Sequence, residues 1–303
     1  MRLKDIGEIA LVKRLAKRIR VDSSVIKGIG DDAAVIRWTR TKHLLFTCDM
    51  LIEDVHFKLR QITPYQIGWK ALGRNISDIA AMGGVPRYAL ISIGISPNLS
   101  TFFLDGIYKG MAGLAKTFGI NMVGGDMARS DKLVIDVSMI GEVERDNLAL
   151  RSGARVGDVI LITGSIGGSI KGKHLKFIPR LKEARMLVKD FKINSMIDIS
   201  DGLTVDLWRI LDASKVGALL YENMIPLSKE ADSFKKAISE GEDFELLFTM
   251  GLNEARRFFK TRLAKMDTPV ALIGKIVRKR QGYKVIRNDG KKRSLRGEGY
   301  LHF

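Results

Sequence analysis

The 303-residue sequence contains a single cysteine, Cys48, only four histidines and no long apolar run. One cysteine excludes an intrachain disulfide and is typical of the reducing cytoplasm. The shortage of cysteine and histidine argues against a zinc site, which depends on those side chains. The N-terminal segment lacks the apolar core of a signal peptide, and no stretch reaches the roughly 18 apolar residues of a membrane span. We therefore expect a cytoplasmic protein that does not enter a membrane.

Acidic residues are also fewer than basic ones, with 34 Asp and Glu against 51 Lys and Arg, which gives a formal charge of +17. The densest basic run lies at 275–296. Such a run can indicate a nucleic-acid-binding surface, but this one lacks the closely spaced aromatic residues that stack on bases. Val277, Val285 and Ile286 instead predict short strands. We favour a solvated basic surface over attraction of anionic metabolites, and both over nucleic-acid binding.

Apolar strands alternate with amphipathic helices along the chain, which predicts an α/β (α+β) protein. Examples are a strand at 43–52, a helix at 66–84 and a half-buried strand at 88–96. A polar stretch at 144–157 interrupts this alternation. It predicts two domains, residues 1–145 and 146–303.

Five apolar segments end in, or border, a turn of glycine, serine and aspartate: "GIGDD", "TCDM", "GGDMARS", "DISDG" and "GEDFE". Each has a structural interpretation by itself. Asp31 and Asp32 can cap a turn, Asp201 can cap a helix, and Asp78, inside a predicted helix, can pair with Arg74. Together these acids favour Mg²⁺, which prefers oxygen ligands, and glycine turns offer amides to phosphates. The pattern predicts metal-assisted phosphate chemistry.

Three other features are weighed against this hypothesis. The segment "GGSIKGKH" nearly matches a P-loop, but His174 replaces the required Ser or Thr, so we interpret it as a flexible basic loop over the site. His56 in "EDVHF" is either structural or a substrate contact. Cys48 is expected to be a buried strand residue. No arrangement typical of a covalent nucleophile is present.

The ordered motifs resemble those of the thiamine-monophosphate kinase family, within the superfamily that includes aminoimidazole ribonucleotide synthetase. The resemblance covers nearly the whole chain, in the motifs "GIGDDAAVI", "TCDMLIEDVHF", "KALGRNISDIAAMGG", "MVGGDMARS", "RSGARVGD", "DISDGL", "GEDFELLF" and "GYLHF". It implies an N-terminal mixed sheet with helices and a C-terminal α/β domain that completes the active site. It also implies phosphorylation of thiamine phosphate by ATP with Mg²⁺, in a homodimer whose N-terminal sheets join into a barrel.

The same resemblance implies a set of site residues. The implied metal ligands are Asp32, Thr47, Cys48 through its main chain, Asp49, Asp78, Asp126, Asp198 and Asp201. The implied nucleotide contacts are Tyr108, Gly125, Asp126, Arg151 and Ser200. The implied contacts to thiamine phosphate are His56, Glu242 and Tyr300. Among all of these, Asp126, Arg151 and Asp201 are expected to be catalytic.

Two departures from the family pattern accompany the resemblance. Cys48 occupies a position where threonine is common, and the loop after "ILITGS" is rich in lysine where small residues are usual. The alternatives that remain are another ATP-dependent enzyme of the superfamily, such as aminoimidazole ribonucleotide synthetase, or a metal-dependent phosphatase.

Overall fold

The computed structural model describes residues 2–261, 266–297 and 299. The first part of the chain forms one mixed sheet with four helices. Its strands are β1 (Val25–Lys27), β2 (Ala34–Arg37), β3 (Lys42–Ile52), β4 (Val85–Ile95), β5 (Asn121–Arg129) and β6 (Val134–Glu144). Its helices are α1 (Leu3–Ile6), α2 (Glu8–Ala16), α3 (Pro64–Ala81) and α4 (Thr101–Phe118). The strand order of this first sheet is β1-β2-β3-β6-β4-β5, and only β4 and β5 pair in parallel.

The described residues that follow form a second, seven-stranded sheet with four α-helices. Its strands are β7 (Val159–Thr163), β8 (Ser195–Asp198), β9 (Gly217–Tyr221), β10 (Leu246–Met250), β11 (Val270–Val277), β12 (Tyr283–Ile286) and β13 (Lys292–Ser294). Its helices are α5 (Leu181–Asp190), α6 (Leu203–Ser214), α7 (Phe234–Ser239) and α8 (Leu252–Thr261). The strand order is β13-β12-β9-β11-β7-β10-β8. The strands predicted in the basic C-terminal run are therefore confirmed as parts of β11 and β12.

Helix α3 is the central helix of the molecule. Its start is fixed by a capping box, in which the Thr63 hydroxyl accepts from the Gln66 N–H and the Gln66 side chain accepts from the Thr63 N–H, with Pro64 in the first turn. Twelve of its eighteen residues are buried, because it packs on the first sheet, on α4 and on α5. A helix buried on several sides can carry polar residues only where partners await them.

The first sheet has one covered face and one open face. On β4 the residues Ala89, Ile91 and Ile93 are at most 2% exposed, as the alternating pattern predicts, and they face α3 and α4. The intervening Tyr88 and Leu90 are each 48% exposed. We call the exposed side, which also includes Phe46 and Met50 of β3, the open face.

The second sheet is covered on both faces, which explains the unbroken apolar run of β7. Val159 and Leu161 belong to the core that contains α3 and the first sheet, whereas Ile160 and Ile162 face α6. The two halves of the chain therefore share one core at α3. No helix in the described ranges is both long and apolar enough to cross a bilayer.

Strand β5 extends further than the sequence indicates. It covers Asn121–Arg129, so Gly125 and Asp126 lie within an edge strand and the turn predicted at "GGDMARS" is wrong. The reason is the close pairing with β4. A Cβ atom on Gly125 would lie 1.7 Å from the Ile91 carbonyl oxygen, so this position accepts only glycine.

Candidate active site

Three aspartates from distant parts of the chain meet between the two sheets. Asp32 lies in the turn before β2, Asp78 on α3 and Asp198 at the end of β8. One carboxylate oxygen from each lies within 4.8 Å of the others. Among the described residues, this acid cluster is the only such group of three or more possible His, Cys, Asp or Glu ligands.

The acid cluster is built to receive a cation. The Thr47 hydroxyl donates to Asp78 (2.6 Å) and the Ser77 hydroxyl donates to Asp198 (2.6 Å), so each acid is held in a fixed orientation. Burial and neighbouring carboxylates raise the pKa of Asp78 and of Asp198 well above the usual range. Oδ2 of Asp32 is buried without a hydrogen-bond partner. Closely spaced carboxylates that repel one another, one of them with an oxygen that has no hydrogen-bond partner, fit a hard divalent ion such as Mg²⁺.

The adjacent acids Asp31 and Asp32 have different environments. The Arg151 guanidinium donates to Asp32 (2.5 Å), whereas the Arg151 main-chain N–H donates to Asp31 (3.0 Å). Burial and the neighbouring Asp32 raise the pKa of Asp31 to about 6. Asp31 therefore connects the turn before β2 to the segment at Arg151. Arg151 is thereby fixed beside the acid cluster.

Strand β3 directs alternate residues to the site. Thr47 and Asp49 face α3, where Asp49 forms an ion pair with Arg74 (3.2 Å). Arg74 therefore pairs with Asp49, while Asp78 is hydrogen-bonded to Thr47. Cys48 points the other way because side chains alternate along a strand, and it is exposed. The expectation of a buried Cys48 is wrong, although its main chain still lies between Thr47 and Asp49.

Asp201 does not cap α6. The N-cap residue is Gly202, and the buried carboxylate of Asp206 accepts from the N–H groups of Asp201 (3.0 Å) and Gly202 (3.1 Å). The Asp201 carboxylate instead pairs with Arg209 (2.5 Å). The helix-cap interpretation is therefore wrong, and Asp201 is left at the edge of a cavity.

That cavity has a volume of about 520 Å³, and it adjoins the acid cluster through Arg74. Predicted site residues from both halves of the chain line it, namely His56, Ser200, Asp201 and Glu242. A neighbouring cavity of about 360 Å³ shares Val55, His56 and Ile170 with it. The structure thus brings two of the implied thiamine-phosphate contacts, His56 and Glu242, together beside several of the implied metal ligands.

The lysine-rich loop differs from the flexible basic loop that we expected. It contains two short 3-10 turns, Ser169–Lys171 and Lys173–Leu175, and it is attached to the site. The Ser169 hydroxyl donates to the Glu242 carbonyl oxygen (2.6 Å), and the buried His174 contacts the Glu242 carboxylate (2.8 Å). The loop is therefore a wall of the cavities.

Not every predicted residue joins this site within one chain. Asp126 lies on β5, in register with Met50 of β3 through two intervening strands, which places it roughly 14 Å from β3 at the usual interstrand spacing. Gly125 adjoins it, and Tyr108 on α4 is half-buried against the core. Tyr300 lies outside the described residues. For these four residues the implied roles stay predictions.

Sequence reasoning overlooked Lys70 and Ser77 on α3. The signal that could have revealed them is helical spacing, because residues 70, 74, 77 and 78 recur on one face of a helix. Their contacts are with separate segments of both halves of the chain. One stripe of α3 therefore positions most of the site.

Comparison with known proteins supports the family that the sequence motifs indicate. The family models "AIR synthase related protein, N-terminal domain" and "C-terminal domain" match residues 30–143 and 155–286. The thiamine-monophosphate kinase of Bacillus subtilis is 35% identical over 98% of this chain and 99% of its own length. The chain belongs to the thiamine-monophosphate kinase family. The family and fold indicated by the motifs are confirmed.

Other members of the thiamine-monophosphate kinase family agree with this assignment. The enzyme of Rhodopirellula baltica is 34% identical, with 89% of each chain covered. A solved structure described as "AaThiL complexed with AMPPCP and TMP" has a TM-score of 0.85 and 30% identity, and the match covers 100% of this chain and 99% of that one. The similarity to the thiamine-monophosphate kinase family therefore extends over both sheets.

Proposed function

We propose that the protein transfers the γ-phosphoryl group of ATP to thiamine phosphate, producing thiamine diphosphate and ADP. The observation that carries this proposal is the acid cluster, held beside Arg151 and next to a cavity of about 520 Å³. Family membership and the similarity to a structure complexed with AMPPCP, an ATP analogue, and TMP support the same reaction.

The chemistry requires positioning and charge neutralisation more than a base. The nucleophile is a phosphate oxygen of thiamine phosphate, which is already an anion. It forms a bond to the γ-phosphorus while the bond from that phosphorus to the β,γ-bridging oxygen breaks, and ADP leaves with the electron pair. Because both substrates are polyanions, in-line positioning and fixed positive charge are the main tasks. Arg151, held by Asp32, supplies a guanidinium of fixed orientation.

The residues fit Mg²⁺ as the metal. Several Mg²⁺ ions would share the implied ligands, which are Asp32, Thr47, the main chain of Cys48, Asp49, Asp78, Asp126, Asp198 and Asp201. When bound, Mg²⁺ offsets the negative charge of the phosphates. Ser200, Gly125, Asp126 and Tyr108 are assigned to the nucleotide with Arg151.

The thiamine moiety is assigned to His56 and Glu242, with Tyr300 closing over it. Burial would raise the pKa of Glu242, but His174 and Lys70 lower it to about 2. The carboxylate is therefore ionised at neutral pH and presents a negative charge to the cavity that it lines. A fixed anion suits the cationic thiazolium ring of the substrate.

A direct assay tests the reaction. With ATP, Mg²⁺ and thiamine phosphate, we expect thiamine diphosphate and ADP to form in equal amounts. Unphosphorylated thiamine, which lacks the attacking phosphate oxygen, serves as the control acceptor and should give no thiamine diphosphate. Release of inorganic phosphate from ATP without an acceptor would instead identify a phosphatase.

The protein is further proposed to be a homodimer joined through the open face. The open face exposes Phe46, Met50, Tyr88 and Leu90 by 43–48% each, an apolar surface that a monomer rarely leaves in contact with water. Asp126 is in register with Met50 across the first sheet, so its side chain points to the same side. A second copy on this face would place Asp126 within the interface.

Leu90→Asp is expected to separate the dimer. Sedimentation of the wild type should give twice the chain mass of 33.8 kDa, and the variant should sediment near 33.8 kDa because a carboxylate would be desolvated in the interface. Leu252→Asp is the matched control, since Leu252 is 46% exposed at the start of α8 and away from the open face. A wild type that sediments as a monomer at assay concentration would contradict the dimer.

The domain division is proposed at 145/146. It is supported by sheet membership, because β1 to β6 form the first sheet and β7 to β13 the second. The N-terminal domain would bind metal and nucleotide and form the dimer, and the C-terminal domain would complete the site with Asp198, Ser200, Asp201 and Glu242.

A further inference from the structure

Lys70 is a fully buried lysine whose side chain has 0% exposure. Its Nζ atom lies 2.9 Å from the main-chain oxygen of His56, 2.8 Å from Nδ1 of His174 and 2.7 Å from the carboxylate of Glu242. Two of its three N–H donors reach the His56 oxygen and the Glu242 carboxylate, and the third faces Nδ1 of His174, whose donor or acceptor role depends on the ring tautomer. A lysine taken entirely out of water is costly to keep unless its charge is compensated.

The electrostatics agree with a fixed ion pair. Burial lowers the pKa of Lys70, the Glu242 carboxylate raises it again, and the nearby Arg74 lowers it further. In return, Lys70 and His174 keep Glu242 ionised. Lys70 and His174 thus both contact the Glu242 carboxylate, which leaves that carboxylate little freedom to rotate.

Three chain segments depend on this contact. His56 lies in the turn after β3, His174 in the lysine-rich loop and Glu242 in the segment before β10. Glu242 and Phe244 both have left-handed backbone conformations, with φ of 65° and 51°. Such a conformation is strained in a non-glycine residue and persists only where the surroundings hold it.

We propose that Lys70 and His174 are positioning residues that orient Glu242 and the His56 turn for the thiamine moiety. The inference rests on the proposed function, because it assumes that thiamine phosphate occupies the cavity lined by His56 and Glu242. Neither residue is assigned a contact with ATP. Their loss therefore affects the use of one substrate and leaves the other unchanged.

Lys70→Met is the first test, because methionine keeps the length and removes the charge. We expect the KM for thiamine phosphate to rise about tenfold or more and the KM for ATP to stay within about twofold. Lys182→Met is the matched control, since Lys182 is an exposed lysine paired with Asp267 on the surface. An equal rise in both KM values would indicate general damage and overturn the proposal.

A double-mutant cycle with Glu242→Gln separates positioning from independent binding. If Lys70 acts through Glu242, Lys70→Met should change the KM for thiamine phosphate less than about twofold in the Glu242→Gln background. The same tenfold change in both backgrounds would show that Lys70 acts by another route.

His174 is tested by rescue. His174→Asn can place a polar atom near the position of Nδ1 and should keep the KM for thiamine phosphate closer to the wild type than His174→Leu does. Equal KM values for the two variants would remove His174 from the positioning pair. A wild type that makes no thiamine diphosphate would refute the proposed function, whereas an active wild type with unaltered Lys70→Met kinetics refutes only this inference.

Discussion

Asp78→Asn is expected to remove nearly all phosphoryl transfer and, at the same time, to make the metal-free protein more stable. We expect kcat to fall at least about a hundredfold, because the variant loses one charged ligand of the acid cluster. We also expect the free energy of unfolding without metal to rise by about 1 kcal/mol, or about 2 °C in Tm for a chain of this size.

The environment of Asp78 explains why the substitution lowers activity but raises stability. Its carboxylate is close to those of Asp32 and Asp198. Burial and the negative charges of neighbouring carboxylates both raise the pKa of Asp78. Asparagine can still accept the hydrogen bond from Thr47, but it brings no charge. The substitution therefore relieves repulsion in the metal-free protein and weakens the site for a divalent cation.

The stability difference between Asp78→Asn and the wild type depends on pH. A carboxyl group whose pKa is raised on folding binds its proton more tightly in the folded state. Stability without metal therefore falls as the pH rises from the unfolded value, about 4, towards the raised one. Asp78→Asn removes this contribution, so its stability advantage over the wild type should be absent at acidic pH and largest near neutrality.

The measurement combines turnover with thermal unfolding in a chelator and in Mg²⁺. The wild type should gain stability from Mg²⁺ and Asp78→Asn should gain much less. Asp105→Asn, which changes an exposed aspartate of the neighbouring α4, is the control and should leave both readouts unchanged. A variant that lost stability along with activity would show that Asp78 is structural.

The elements of the site could be predicted from sequence because their signals are local. The apolar run that ends at Asp198 and the helix that carries Asp78 each have a clear period, and the observed β8 and α3 agree with it. The extent of β5 could not be predicted, because glycines usually signal a turn. Only the close pairing of Gly125 with Ile91 shows why they stand in a strand.

The partners within the site were much less predictable. Lys70 and Glu242 are 172 residues apart, and Ser77 and Asp198 are 121 residues apart. No local pattern encodes such distances, since they depend on how α3 packs between the two sheets. Because side chains alternate along a strand, Cys48 is exposed if Thr47 is buried. An apolar strand by itself does not indicate which of its two faces is buried.

The charge of +17 and the buried acids have separate roles in this arrangement. Arg74, Arg151 and Arg209 each pair with an aspartate of the site, so the fixed positive charges there are matched by carboxylates. The exposed lysines and arginines of β13 lie elsewhere, on the outermost strand of the second sheet. The basic charge of the protein as a whole is therefore compatible with a cation at the acid cluster.

Gly68→Ala is expected to cause the largest loss of stability, because α3 and α4 cross with almost no space between them. A Cβ atom on Gly68 would lie 1.9 Å from the Ile107 carbonyl oxygen, and a Cβ atom on Gly110 would lie 2.0 Å from the Tyr65 carbonyl oxygen. Both obstacles are main-chain atoms of a helix, which cannot rotate away. One helix must shift by more than an ångström, and the shared core of both sheets must shift with it.

We expect Gly68→Ala to lower the free energy of unfolding by about 3 kcal/mol or more in urea titrations, although alanine is the better helix former by about 1 kcal/mol. Gly113→Ala on α4 is the matched control. Its Cβ atom would meet only the Tyr65 hydroxyl at 2.9 Å, at the end of a side chain that can move, so its stability should be unchanged or slightly higher. Because α3 also carries Lys70 and Asp78, folded Gly68→Ala protein should lose phosphoryl transfer as well. Equal stabilities for the two variants would show that the helix crossing tolerates separation, and that the position of α3 does not set the site.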